Sequence, residues 1–291
     1  MYELIQVAEH TYYIDCPAKI GIYEDTDGIY LIDSGNDKEA GRKIKKILEQ
    51  KNWHLKAILN THSNADHIGG NQFLQKRFQC PIYCTPMENS IISNTILEPS
   101  FLYGGFPFKA LRNKFLMAQE STSQDIALAC LPKNFEIFSL PGHFWDMIGF
   151  QTPDDVYFIA DCLSSEAILD KYHISFVYDV KKYLQTLDFI CTLQGKLFIP
   201  AHAQATENIV PLAEYNKKKI QEIIELLLSF CQNPFTAEEI LKKIFDHYQL
   251  TMNEQQYVLV GSTIRSYLSY LIEEEKLTTK IMDNRFLFQT I

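Results

Sequence analysis

The segment Asn60-Thr61-His62-Ser63-Asn64-Ala65-Asp66-His67-Ile68-Gly69-Gly70 constrains this chain more than any other. An apolar run, Leu55 to Leu59, leads into it, and a helical pattern follows from Asn71 to Arg77. Two imidazoles, a carboxylate and an amide therefore fall within six residues, just past an expected strand end. Such a cluster brings several ligands to one metal ion from a single short loop. A polar loop whose histidines cap the next helix would account for one histidine. It does not account for the later segments that match this one.

Three such segments follow. Leu140-Pro141-Gly142-His143 closes an apolar run and is followed by Trp145, Asp146 and Gly149. Val156 to Ala160 is a strand pattern that delivers Asp161, and Leu197 to Ala201 is another that delivers His202. Each candidate ligand follows a buried-strand pattern, which is where sites in layered α/β proteins lie. In order, spacing and strand context the set resembles the metallo-β-lactamase superfamily, whose pattern is H-x-H-x-D-H, then a His, a bridging Asp and a final His. The resemblance covers roughly residues 1 to 210 and departs at one position, where Asn64 stands in place of the second histidine.

What the resemblance implies is an α/β fold, a four-layer αββα sandwich carrying a metal centre. His62 and His143 would hold one ion, Asp66, His67 and His202 a second, and Asp161 would bridge them. Asn64 would fill the remaining ligand position through its amide oxygen. Asp33, at the end of the third expected strand, resembles the superfamily's strand-end Asp that supports the site from behind; satisfying amides of its own turn is the alternative. Two cations about 3.5–4 Å apart clamp the attacking and leaving oxygens of a hydrolysis and acidify a water between them. Asp66 would be the catalytic proton acceptor. No Ser or Cys nucleophile beside a base is evident, so a metal-bound hydroxide is the expected attacker. The expected cofactor is zinc, one or two ions, with iron or manganese admitted by the harder oxygen donor of Asn64. The expected function is metal-dependent hydrolysis of a phosphodiester or a small ester or thioester. The alternative is a non-catalytic metal-binding sensor or nucleic-acid-binding protein that acts through its C-terminal part.

That part begins near Pro211. Glu214 to Gln232, Ala237 to His247 and Gln255 to Glu275 read as helices, and Thr236-Ala237-Glu238-Glu239 as a capping box. Leu277 to Ile281 and Arg285 to Gln289 read as a hairpin across Asp283-Asn284. Residues 1–210 are thus expected to form the catalytic domain and residues 211–291 a small winged-helix-like domain. The winged-helix name comes from resemblance to the β-lactamase-like hydrolases that include the mitochondrial endoribonuclease group.

Charge bears on the partners. The formal net charge of −9 argues against general affinity for nucleic acid or anionic membrane. Residues 211–291 hold nine Lys/Arg and eleven Asp/Glu, a net of −2, leaving −7 for the remainder. The expected partner is a small-molecule or nucleotide-type substrate, with no membrane, nucleic acid left open, and a homodimer through the C-terminal module. No apolar run reaches the ~18–20 residues of a membrane span, and Met1 to Leu4 shows no secretory pattern. Seven cysteines without paired spacing fit reduced thiols in the cytoplasm.

Between the motifs, Thr11 to Ile14, Ile20 to Tyr23 and Gly28 to Ile32 read as strands and Lys38 to Lys51 as a helix. Glu88 to Leu97 is expected to be helical, and Glu98 to Phe108 an irregular aromatic loop that shapes the substrate pocket with Tyr103 and Phe106. Asp125 to Leu131 is expected to be a strand. His173 is a candidate substrate contact, and Cys162 a packed thiol.

Overall fold

The structure is a computed structural model and describes residues 2–291. Four short strands open the chain: β1 (Glu3–Gln6), β2 (Thr11–Asp15), β3 (Ile20–Asp25) and β4 (Gly28–Ile32). Helix α1 (Lys38–Lys51) and strand β5 (Leu55–Leu59) precede the histidine loop, in which α2 (Ala65–Ile68) is a single turn. Then come α3 (Asn71–Phe78), β6 (Ile82–Cys84), α4 (Pro86–Ser93), α5 (Leu97–Tyr103) and β7 (Gln124–Asp125). The second half runs β8 (Glu136–Ser139), β9 (Ile148–Gln151), β10 (Val156–Phe158), α6 (Glu166–Tyr172), α7 (Val180–Ile190) and β11 (Leu197–Ile199). The chain closes with α8 (Val210–Phe230), α9 (Ala237–His247), α10 (Glu254–Glu273), β12 (Leu277–Met282) and β13 (Arg285–Thr290).

Two sheets stack face to face. One has seven strands in the order β1 to β7, antiparallel as far as β4 and parallel from there. The other has the order β11-β10-β9-β8, with only β10 and β11 parallel. Tyr13, Tyr30 and Leu59 of the first sheet share one core with Phe150, Val156 and Phe158 of the second. The outer face of the first sheet packs Ile22, Leu31 and Ile58 under Ile44 and Leu48 of α1 and Leu74 of α3. The outer face of the second packs Tyr157 and Phe198 under Leu187 of α7 and Ile220 and Ile224 of α8. Helix, sheet, sheet and helix form the four expected layers, because each strand alternates between a sandwich core and a helix-covered face.

The C-terminal elements follow the expected order. The Thr236/Glu239 capping box is present. The hairpin turns through Asp283 and Asn284, both at positive φ (51° and 58°), as a two-residue primed turn requires. One hydrophobic cluster runs from α7 and α8 through Ile240 and Phe245 of α9 and Ile264 and Leu268 of α10 to Phe288.

Three expectations fail in whole or in part. The aromatic stretch expected to be irregular over Glu98 to Phe108 is helical in its first half, within α5, and irregular only over residues 104–108, and the helix expected over Glu88 to Leu97 already ends with α4 at Ser93. Pro99 lies in the first turn of α5, where its missing N–H costs nothing, and Gly104 at φ 77 ends the helix. The strand expected over Asp125 to Leu131 shrinks to Gln124–Asp125, because Asp125 accepts from the amide of Ala127 and starts a single 3-10 turn.

Candidate metal centre

The candidate residues meet at one end of both sheets, and the turns that deliver them are conformationally demanding. Asp33 follows β4 at φ 63 and Ala160 follows β10 at φ 49, in the left-handed region where most side chains are strained. Gly142, at φ 120, sets the direction of His143; a Cβ there would lie 2.3 Å from the amide nitrogen of Tyr183. The amide of Ile148 donates to the carbonyl of Thr61 at 2.9 Å, tying the β9 end to the histidine loop.

Two groups of ligand atoms result. Asp66, His67, Asp161 and His202 each offer one atom, all within 4.8 Å of one another, and His62, His143 and Asp161 do the same beside them. His202 Nε2 lies 3.2 Å from Asp66 Oδ2 and 3.2 Å from Asp161 Oδ2. His67 Nε2 lies 3.1 Å from Asp161 Oδ1 and 4.0 Å from Asp66 Oδ2. His143 Nε2 is 3.6 Å from the other oxygen of Asp161. Ligands at ~2.0–2.1 Å around a tetrahedral ion lie roughly 3.3–3.4 Å apart, so these spacings suit an ion of zinc's size.

The four imidazoles are oriented alike. His67 donates through Nδ1 to Asp33 Oδ2 at 2.8 Å, His143 to the carbonyl of Phe176 at 3.0 Å, and His202 to the carbonyl of Pro17 at 2.9 Å. His62 Nδ1 lies 2.9 Å from Thr61 Oγ1, and that hydroxyl already donates to Asp33 Oδ2 at 2.8 Å, so it accepts from His62. In each ring Nδ1 carries a proton, so Nε2 is the nitrogen that points to the centre and is free to ligate once any second proton leaves it. Asp33 therefore supports two rings, one directly and one through Thr61, and also accepts from the Thr61 amide at 2.8 Å. Of its two sequence readings, support of the site is the one with contacts.

The unpartnered atoms identify what fits. His62 Nε2, His67 Nε2 and Asp161 Oδ1 are buried without a hydrogen-bond partner. His143 Nε2 and the amide oxygen of Asn64 face each other at 3.1 Å, two acceptors with nothing to share between them. Buried acceptors converging in this way are costly unless a cation satisfies them. Burial and the neighbouring His67 hold the His62 imidazole well below its usual range, and burial lowers that of His143, so both favour the neutral, ligating form. Burial also opposes a charge on His202, but Asp161 and Asp66 outweigh it and raise that group to about 10. A proton there balances the carboxylates as a cation would. The cluster thus fits a metal dication in charge and in donor type.

Asn64 stands beside His143 with its oxygen toward the cluster, and its NH2 donates to Glu98 Oε1 at 2.8 Å. Glu98 and Glu88 are buried carboxylic acids that the sequence reading did not find. Glu88 accepts from Ser63 N (3.0 Å), Ser63 Oγ and Asp146 N (3.0 Å), joining the His62 loop to the His143 loop. Burial pushes its carboxyl up to about 7 and pushes that of Glu98 well above the usual range. The signal for Glu88 was present: with Ile91 and Ile92 it completes an i, i+3, i+4 stripe on the inner face of α4. Glu98 was hidden by reading α5 as a loop.

A cavity of about 490 Å³ opens onto His143, Asp161 and His202. Tyr103 and Phe106, expected to shape the substrate pocket, do not line it. Tyr103 lines a larger cleft of about 860 Å³, against Trp145 and α10, that touches none of the candidate ligands, and Phe106 lines a shallow one nearby. The aromatics pack on one another instead: Phe101 of α5 meets Trp145 and Tyr178, and Tyr103, its last residue, meets Phe108 edge-on with ring centroids 5.6 Å apart. His173 does not line the cavity either; it stacks on Tyr248 with ring centroids 4.2 Å apart. Cys162 is buried, as expected.

Comparison with known proteins agrees with the geometry. A profile described as the metallo-beta-lactamase superfamily matches residues 13–202. The chain is 30% identical over 129 residues to hydroxyacylglutathione hydrolase GloC of Haemophilus influenzae, covering 44% of this chain and 58% of that one. It is 20% identical over 264 residues to the beta-lactamase-like protein 2 homolog of Drosophila melanogaster, covering 88% and 82%. The chain spans about half the length of the bacterial relatives it matches, 44% and 58% in two of them. Its fold is shared with a beta-lactamase domain protein from Burkholderia ambifaria, at a TM-score of 0.78 and 14% identity, over 99% of this chain and 94% of that one.

Proposed function

The chain belongs to the metallo-β-lactamase superfamily, and from that premise we propose that it is a metal-dependent hydrolase of a small ester or thioester. The observation that carries the reading is the convergence of four imidazole Nε2 atoms and two carboxylates on two adjoining points. His67, His202, Asp66 and Asp161 would hold one ion; His62, His143 and Asp161, with the Asn64 oxygen, would hold the other. A divalent metal held there supplies an electrophile for the substrate oxygen and acidifies a water. Of the two candidate carboxylates Asp161 is the buried one and Asp66 the more exposed. It can take the proton of an attacking water and return one to the leaving group. Asp161, buried between His67, His143 and His202, stays a fixed anion that sets their spacing.

An acyl substrate is favoured over a phosphodiester for two reasons. The named bacterial relative is an acylglutathione hydrolase, and no Lys or Arg lines the cavity at the centre. A phosphodiester would find no cationic side chain there to pair with it. Zinc is the expected ion, with iron or manganese open through Asn64. Residues 211–291 we read as a winged-helix-like packing module on the catalytic domain of residues 1–210, a division supported by the order of α8 to β13. Among the described residues no helix is long and apolar enough to cross a membrane. The seven unpaired cysteines support a cytoplasmic site of action.

Elemental analysis of the full chain, wild type and Asp161→Ala, with turnover of a thioester and of bis-p-nitrophenyl phosphate, tests the reading. The wild type should carry tightly held metal and cleave the thioester in preference, and both properties should be lost in the variant. Two tightly held ions in Asp161→Ala, or preference for the phosphodiester, would refute it.

A further inference from the structure

The cavity above the candidate centre has two unlike sides. At its floor stand His143, Asp161 and His202; its walls carry Leu163 and Ile174, both buried, with Phe176 beside them. The facing wall comes from the C-terminal part of the chain, through Phe245, Leu250, Leu259 and Val260. The polar lining consists of hydroxyls and amides: Ser164, Ser175, Thr263, Asn253, Gln255 and Gln256. Beyond the candidate ligands Asp161, His143 and His202, no charged side chain among the described residues lines it. At about 490 Å³ it falls in the ~300–1,000 Å³ range of small-molecule sites.

The C-terminal wall is fixed. Thr263 Oγ1 accepts from the amide of Val177 at 3.3 Å, joining α10 to the loop that carries Phe176. Asn253 caps α10 by accepting from Gln256 N at 2.9 Å, which sets the helix turn that faces the cavity. Gln256 contributes one further feature, a buried side-chain oxygen with no hydrogen-bond partner among the described residues.

Resting on the hydrolase reading, we propose that this cavity is an acyl-chain site. It takes the apolar acyl part of an ester or thioester with the carbonyl at the His143–Asp161–His202 floor, and α9 and α10 limit the chain length. The apolar walls make each added methylene favourable, at ~0.8 kcal/mol or about fourfold per group when fully buried. The absence of Lys and Arg keeps a polyanionic leaving group outside, so that group faces solvent. The unpaired oxygen of Gln256 suits a hydroxyl or amide N–H on the chain, which a plain alkyl group leaves unmet.

The full-length, metal-loaded protein is assayed on N-acetylcysteamine thioesters from acetyl to decanoyl. In parallel, binding of the neutral fluorophore N-phenyl-1-naphthylamine is titrated and competed with 1-decanol, a measurement that needs no turnover. The value of kcat/KM should rise about fourfold per methylene over the first additions and then level off. The fluorophore should bind saturably and be displaced by decanol. Val260→Trp on α10 and Ile168→Trp on α6, two lining residues from different helices, each fill part of the cavity. Each should shorten the preferred acyl chain and weaken fluorophore binding about tenfold, so a folding failure in one leaves the other to report. If no thioester is cleaved but the fluorophore and decanol compete as expected, the hydrolase reading fails and the apolar-chain site stands. If thioesters are cleaved at rates independent of chain length, and neither variant changes fluorophore binding, the acyl-chain site is overturned while the hydrolase reading survives.

Discussion

Asp33→Asn is the substitution that most directly tests how the centre is oriented. It keeps the shape of the side chain and tolerates the left-handed φ of 63° at that position. What it reverses is polarity. Asp33 Oδ1 accepts from the Thr61 amide at 2.8 Å, and Oδ2 accepts from Thr61 Oγ1 and from His67 Nδ1, each at 2.8 Å. An asparagine that keeps its oxygen on the Thr61 amide turns an NH2 toward the other two partners. His67 then has to accept at Nδ1, and its proton moves to Nε2. Thr61, now accepting from the asparagine, turns its hydroxyl proton to His62, whose proton moves to Nε2 as well. Both rings would point N–H groups at the place where lone pairs are needed. The opposite amide orientation leaves the Thr61 N–H facing a donor, which costs ~1–3 kcal/mol, so it offers no easy escape. Loss of such a partner lowers metal affinity ~10–100-fold, which is roughly 1.4–2.8 kcal/mol. Here each proposed ion loses one correctly oriented imidazole, so both affinities should fall by that factor. Competition against a chromophoric chelator measures them, and thermal melting of the metal-free protein shows whether the variant folds. A folded Asp33→Asn protein with both affinities unchanged would refute the argument.

Two further outcomes follow from the same contacts. The ion position served by His62, His143 and Asn64 has a neutral amide where the other has the Asp66 carboxylate, so stepwise chelation should remove one ion first; Asn64→His should merge the steps, and two equal sites in the wild type would remove Asn64 from the ligand set. Glu88 links folding to pH: its burial raises the carboxyl from 4.5 to about 7, so the stability it contributes is full below about 4.5 and is lost as pH rises through about 7, by roughly 3 kcal/mol. Denaturant titrations of the metal-free protein from pH 4.5 to 8 should show this slope in the wild type and a flatter one in Glu88→Gln; parallel slopes would show that Glu88 is not the group responsible.

The sequence disclosed the ligands because each sits after an apolar strand at a turn that only particular residues make, as Gly142 does before His143. The layers followed from the same strands, since alternation and helical stripes are local signals. Asp33 was placed but its use was undecided, because its partners lie 28 and 34 residues away and only the fold joins them. Glu88 and Glu98 were missed for a related reason. A glutamate in a helix is ordinarily solvated, and only a tertiary contact shows that these two are buried. The cavity wall was illegible for the strongest form of that reason: Ile174 and Val260 come together across 86 residues of chain, and nothing near either one signals a binding surface. The aromatic residues of α5 gave a false signal, since aromatic content marks packing as readily as binding, and here Phe101 packs against Trp145 and Tyr178.

Asn64 need not make this a broken version of a histidine site. Alone, a neutral amide oxygen is a poorer zinc donor than imidazole. This amide is not alone: its NH2 donates to Glu98, a carboxyl that the fold keeps buried at the end of a helix turn the sequence does not advertise. A hydrogen bond from the amide nitrogen to the Glu98 carboxyl oxygen draws electron density onto the amide's carbonyl oxygen, so the pair makes Asn64 a better oxygen donor than an unpaired amide. Burying Glu98 would be costly if its one side-chain partner served only to fill space. It becomes economical if the pair fixes which end of the amide faces His143. The oxygen is then held toward the proposed ion before any ion arrives, and the donor it offers is harder than nitrogen. The position should accordingly favour a harder cation than its neighbour does, and its selectivity should depend on Glu98 as much as on Asn64.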